Sequence, residues 1–170
     1  MSIETEHLVL HPITRAEAQR IISRTPGPQD TWADGFPRED DLDGLGMLLR
    51  AGGDESDATQ AQPFGSMLIA ERASRSAIGS IGFFGLPDEE GQVTIGYGLV
   101  EQYRGRGLGT EALAALIAYC RTRPEVRTIL ADTEVQNKVS QRVLEKAGFT
   151  FIRANDELCF YQLALKPAAV

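Results

Sequence analysis

The stretch Gln102-Tyr103-Arg104-Gly105-Arg106-Gly107-Leu108-Gly109-Thr110 decides how the rest of the chain is read. It lies between an apolar run at residues 93–100 that reads as a strand and a helix-period run at residues 108–121. A strand, a glycine turn and a helix start make an anion site. Gly105, Gly107 and Gly109 let backbone N–H groups approach a ligand without side-chain obstruction. The first-turn amides lack intrahelical partners and sit at the positive end of the helix dipole. Arg104 and Arg106 add positive charge, Thr110 offers a hydroxyl, and Leu108 supplies a further amide. A phosphate or pyrophosphate suits this chemistry, although a plain solvated turn has the same shape. A Walker loop would need Gly-Lys-Ser/Thr and a dinucleotide fingerprint Gly-x-Gly-x-x-Gly with a later acidic residue, and neither string is present.

Outward from this turn, the helix carries Ala112, Leu113, Leu116, Ile117 and Cys120 on one face and ends before Pro124. Residues 128–134 read as a strand beyond that crossover helix, so the two flanking strands are expected to be parallel neighbours. Gly96 and Gly98 inside the first of them suggest a bulge or a close backbone approach. Residues 137–149 read as a short amphipathic helix capped by Asn137 and closed by Gly148, with Val139, Val143 and Leu144 as its apolar stripe. Residues 149–153 and 158–165 form a closing hairpin. Upstream, residues 6–13 read as an opening strand, and Thr14 with Glu17 makes a capping box for a helix over 15–23. Trp32 and Phe36 follow in a Gly/Pro-punctuated segment. Leucines 42, 45, 48 and 49 then have helical spacing behind an acidic start, residues 52–62 read as an exposed loop, and residues 64–72 and 76–84 read as a hairpin.

The string Gln102-x-x-Gly105-x-Gly107 resembles the pyrophosphate loop of the GNAT family of acyl-CoA-dependent N-acyltransferases. Residues 105–113, together with Asn137-x-x-Ser140-x-x-Val143-Leu144-Glu145-Lys146-x-Gly148-Phe149, resemble its RimJ/RimL-type branch. That resemblance implies an α+β fold with a mixed, mostly antiparallel central sheet flanked by helices in three αβα layers. It also implies a splayed parallel strand pair that holds the cofactor, with Leu99 and Val100 pairing to the pantetheine arm and Asn137 touching it. The implied reaction is acetyl transfer from acetyl-CoA to a primary amine by direct attack, with Ser140 beside the leaving sulfur. Trp32 and Phe36 fall in the region that walls the acceptor cleft, with core anchoring as the alternative. Many relatives carry an acidic residue where this chain has Thr94, so Asp132 and Glu134, and more remotely Glu101, are the substitutes for the base. The branch implies a peptide N-terminal amine as acceptor. A small cationic amine such as an antibiotic or polyamine, and a non-catalytic acyl-CoA sensor, are the competing readings. Members are often dimers, so a homodimer is the expectation by analogy.

Length and charge bound these readings. At 170 residues the chain suits a single domain over residues 1–170. With Lys+Arg 17 against Asp+Glu 24 the net charge is -7, and no basic run extends beyond the glycine turn, so nucleic acid and anionic membrane are disfavoured as partners. The start of the chain lacks the pattern of a secretion signal and no apolar run reaches membrane-spanning length, which reads as cytoplasmic. Cys120 and Cys159 lie in apolar segments without metal-ligand spacing, so they are expected as buried thiols and no metal is expected. Acceptor chemistry sets how strong a base is needed. An α-amine near pKa ~8 is substantially neutral at pH 7, whereas a lysine amine near ~10.4 costs about 3–4 kcal/mol to deprotonate. The missing acid therefore leans toward an amine of low pKa.

Overall fold

The computed structural model describes residues 2–50 and 64–165, with side chains described for all of these except 47–50. Alternating apolar residues make strand β2 (Leu8–Pro12), and a short β1 (Ile3–Glu4) folds back on it, Ile3 opposite Leu10 and Glu4 opposite Val9. Two residues are too few to leave a period in the sequence, so β1 is an addition to the expected elements. Helix α1 (Arg15–Ser23) starts at Thr14, whose hydroxyl accepts from Glu17 N–H at 3.2 Å. Arg24 closes it in the left-handed conformation. Helix α2 (Glu39–Arg50) packs on α1 and carries Glu39, Asp40 and Asp41 in its first turn, where the dipole favours carboxylates. The loop expected at residues 52–62 lies outside the described residues, as do the side chains of Leu48 and Leu49.

Strands β3 (Ser66–Glu71), β4 (Ala77–Phe83) and β5 (Gln92–Leu99) continue the sheet antiparallel, as the paired turn signals require. A short 3-10 turn (Glu101–Tyr103) and the glycine loop lead into α3 (Leu108–Arg121). After the crossover, β6 (Thr128–Glu134) lies parallel to β5, as expected of a strand–helix–strand unit. Helix α4 (Lys138–Lys146) follows, then β7 (Thr150–Ala154) and β8 (Leu158–Ala164). The sheet order is β1-β2-β3-β4-β5-β6-β8-β7, so the last strand inserts beside β6 and leaves β7 at the edge.

Side chains alternate across β5, which assigns the helices to faces. The Tyr97 ring faces Gly109 on α3, whereas Gly98 faces Arg38 at the head of α2. Helices α1 and α2 therefore cover one face and α3 and α4 the other. This is the three-layer, mostly antiparallel α+β arrangement that the motifs implied. Leu8, Leu10, Ile69, Ile78, Ile81, Ile95, Leu113, Leu116 and Ile129 are fully buried, each contributing about 1.5–3 kcal/mol relative to exposure. Both cysteines are buried, as expected. The apolar stripe of α4 is narrower than its sequence suggests. Leu144 is buried and Val143 packs partly, but Val139 is 62% exposed because it sits one turn outside the contact with α3.

Candidate active site

Gly105 and Gly107 have φ of 75° and 78°, a conformation that costs a side-chain-bearing residue roughly 1–2 kcal/mol. Gly107 is the cap of α3. No atom lies within 4 Å of where a Cβ would stand on either glycine, so this side of the loop is open. Among the described residues, no protein group accepts from the N–H groups of residues 105–110. The result is a cradle of outward amides at a helix N-terminus, and it fits a diphosphate. Its two arginines are braced against the protein. Arg104 Nε donates to Leu99 O at 2.9 Å, and the Arg106 guanidinium lies over the Tyr103 ring at 5.1 Å. Leu108 is buried, so it offers only its amide, while Thr110 borders a shallow groove with His7 and Glu111.

Strand β5 pairs with β6 only from Gln92 opposite Thr128 to Ile95 opposite Ala131. Beyond Ile95 the strands part, while β6 goes on pairing with β8 through Glu134. The expected splay is therefore present, but no bulge causes it. The register between β4 and β5 runs unbroken from Gly79 opposite Leu99 to Phe83 opposite Ile95. Gly96 and Gly98 serve close approach instead. A Cβ on Gly96 would stand 2.7 Å from the Phe84 ring, and one on Gly98 would overlap the Arg38 guanidinium.

A cleft of about 530 Å³ opens at this parting. Its α2-side wall carries Arg38, Asp40, Asp41, Asp43 and Phe84, its β6 wall carries Asp132 and Glu134, and its far end reaches Tyr97, Asn137 and Ser140. Asp41 is held by a closed network. Its Oδ1 accepts from Arg38 Nη2 at 2.9 Å and from the Ser80 hydroxyl, and its Oδ2 accepts from Arg38 N–H at 2.8 Å. With the Asp41 side chain 0% exposed and paired to Arg38, and the exposed Asp40 carboxylate 3.7 Å from Arg38 Nη1, the cleft carboxylates without an ion pair among the described residues are Asp43, Asp132 and Glu134. The field in the cleft is thus negative and favours a cation.

The other expected residues divide. Asp132 and Glu134 are exposed on the stretch of β6 that β5 has left, and both line the cleft. Asn137 caps α4, its Oδ1 accepting from Ser140 N–H at 3.1 Å, which sets Ser140 on the first turn facing the cleft. Backbone alternation turns the Tyr97 and Leu99 groups toward the gap, with the Leu99 carbonyl already engaged by Arg104. Val100 does not offer what was expected of it. Its N–H donates to Ile78 O at 2.8 Å and its carbonyl accepts from Tyr103 N–H at 3.0 Å. Trp32 and Phe36 stack edge to face at 5.6 Å, Phe36 is buried in the core, and neither lines the cleft. Thr94 and Glu101 do not line it either. The sequence reading took Asp41 only as one of several acids at a helix start, and missed Arg38, Ser80, Phe84 and Tyr97. Only Tyr97 left a trace, standing between two glycines on the cofactor strand.

Known proteins match this geometry. The model of the acetyltransferase (GNAT) domain family covers residues 7–150. The protein named uncharacterized N-acetyltransferase YjdG of Bacillus subtilis is 37% identical over 86 residues, a match spanning about half of each chain, 51% of both. Among solved structures, the ribosomal-protein-S5-alanine acetyltransferase of Vibrio fischeri superposes with a TM-score of 0.65 at 16% identity, over 96% of each chain. RimL, a ribosomal L7/L12 α-N-protein acetyltransferase solved in complex with coenzyme A, gives 0.64 at 16% identity, over 97% of this chain and 98% of its own. With an open amide loop, a splayed parallel pair and a family model that spans most of its length, the chain belongs to the acetyltransferase (GNAT) family.

Proposed function

We propose that this protein is a cytoplasmic acetyl-CoA-dependent N-acetyltransferase that acetylates a primary amine, with a peptide N-terminal α-amine as the first candidate acceptor. One observation carries the reading: a cleft at the parting of β5 and β6 brings together three carboxylates free of ion pairs among the described residues, Asp43, Asp132 and Glu134, with Ser140. Acetyl-CoA, when bound, supplies an activated thioester. The loop amides of residues 105–110 hold its diphosphate, charge-assisted bonds of this kind contributing about 1.5–3 kcal/mol each. Asp132 and Glu134 receive the incoming ammonium and take its proton, directly or through water. Ser140 donates a hydrogen bond to the departing sulfur. Arg38 keeps Asp41 as a fixed ion pair, so Asp41 shapes the wall and takes no part in proton transfer. RimL is by its name a ribosomal L7/L12 α-N-protein acetyltransferase and the Vibrio fischeri enzyme a ribosomal-protein-S5-alanine acetyltransferase, which supports a protein or peptide acceptor.

The acidic lining favours a second acceptor class, a small amine bearing another positive charge. Free-thiol release from acetyl-CoA across N-terminal peptides and small cationic amines separates the two. Release with an amine, lost in Ser140→Ala, is the expected result. Absence of release across the panel, with acetyl-CoA bound, overturns catalysis in favour of an acyl-CoA sensor.

A further inference from the structure

We infer that Tyr97 is a positioning residue for Ser140: its hydroxyl donates to Ser140 Oγ, leaving the serine hydroxyl aimed at the leaving sulfur. The inference rests on the acetyl-transfer reading and deepens it. Tyr97 Oη is buried and has no hydrogen-bond partner among the described residues. A buried hydroxyl left in this state costs about 1–3 kcal/mol, and such groups in a folded protein require a reason. Its position supplies one. Tyr97 stands two residues past Ile95, on the stretch of β5 that no longer pairs with β6. A Cβ on Gly109 would lie 3.6 Å from the Tyr97 ring, so the first turn of α3 backs the ring at ordinary contact distance. Tyr97 and Ser140 line the same cleft.

Against the larger effect of burial, Ser140 lowers the Tyr97 pKa as a hydrogen-bonding neighbour does, in keeping with the two side chains lining one cleft. Asn137 takes the Ser140 N–H, and among the described residues no other group holds the serine hydroxyl. Burial raises the Tyr97 pKa above its ordinary value, outweighing the lowering effect of Ser140, so the phenol stays protonated and acts as a donor. In the transfer step the amine nitrogen bonds to the carbonyl carbon, the C–S bond breaks and its electron pair stays on sulfur. The amine's proton leaves to the β6 carboxylates or water, and the thiolate is later protonated from solvent. Ser140 stabilises the charge on sulfur by hydrogen bonding, and Tyr97 starts and ends the cycle protonated.

The test compares the binding of coenzyme A and of its analogue lacking the sulfur by calorimetry at pH 8.5, for the wild type, Tyr97→Phe, Ser140→Ala and the double variant. The wild type is expected to prefer coenzyme A about tenfold, a preference largely lost in each variant and no lower in the double. Turnover of Tyr97→Phe is expected to fall about 10- to 100-fold at unchanged KM for acetyl-CoA. Its melting temperature should not drop, because an unsatisfied hydroxyl is removed. A Tyr97→Phe variant with the wild-type preference, or losses that add to those of Ser140→Ala, overturns the inference alone. A wild type without sulfur preference or thiol release overturns the acetyl-transfer reading and the inference with it.

Discussion

Replacing Gly98 by alanine tests the wall of the cleft, because the new methyl occupies the place of the Arg38 guanidinium. A flexible side chain can swing aside, so the cost comes from what the guanidinium leaves behind. Asp41 is fully buried and would lose the 2.9 Å contact with Arg38 Nη2. It would keep the Arg38 backbone N–H at 2.8 Å and the Ser80 hydroxyl. Stripping one partner from a buried ion pair costs about 3–5 kcal/mol, and two surviving donors point to the lower end, about 3 kcal/mol. For a domain of this size that corresponds to a fall of roughly 6–12 °C in melting temperature. The assay is a double-mutant cycle by denaturant unfolding. In an Arg38→Ala background the methyl at position 98 no longer meets the guanidinium, and Asp41 has already lost its partner. Gly98→Ala should then cost close to nothing, a coupling of about 3 kcal/mol. Equal costs in both backgrounds would refute the argument that Gly98 exists to admit Arg38.

Two further outcomes test the loop and the core. Gly107→Ala meets no neighbour, so its effect is purely conformational: the residue leaves φ 78° and re-aims the loop amides. Affinity for acetyl-CoA by calorimetry should fall about tenfold, consistent with ~1–2 kcal/mol of left-handed strain. An unchanged affinity would remove this loop from the binding site. Burial pushes the Cys120 thiol up from 9.0 to about 12. Its folded pKa exceeds its unfolded one, so its contribution is complete below about pH 9. Above that it is lost at ~1.4 kcal/mol per pH unit, because only the unfolded chain releases the proton. Unfolding curves between pH 8 and 10.5 should show this slope in the wild type, and a shallower one in Cys120→Ala. Parallel slopes would contradict it.

Much of the fold was legible because its signals are local. The cap at Thr14, the helix bounds at Leu108 and Arg121 and the strand from Thr128 to Glu134 follow from hydrogen-bonding side chains, apolar period and glycine or proline punctuation within a few residues. The glycine loop was legible for the same reason. Gly105 and Gly107 need φ values that L side chains rarely adopt, and a helix start supplies the amides by itself.

The cleft is different. Asp41 reads in sequence as one more acid in a solvated helix start, yet it is fully buried, because Arg38 and Ser80 converge on it from elements 39 positions apart in the case of Ser80. Trp32 and Phe36 read equally well as substrate wall or core anchors, and packing against each other and the sheet placed Phe36 inside. Gly96 and Gly98 announced a special strand, but whether a bulge or a close approach accounts for them depended on Phe84 and Arg38. By itself the sequence determined the elements other than β1, their order, the parallel pair and the anion loop, since these depend on neighbours along the chain. Only the tertiary structure decided which carboxylates are spent, which face the cleft, and that Tyr97 and Ser140 line it together. Burial and charge pairing are properties of residues brought together across the sheet, and no local pattern encodes the distance between them.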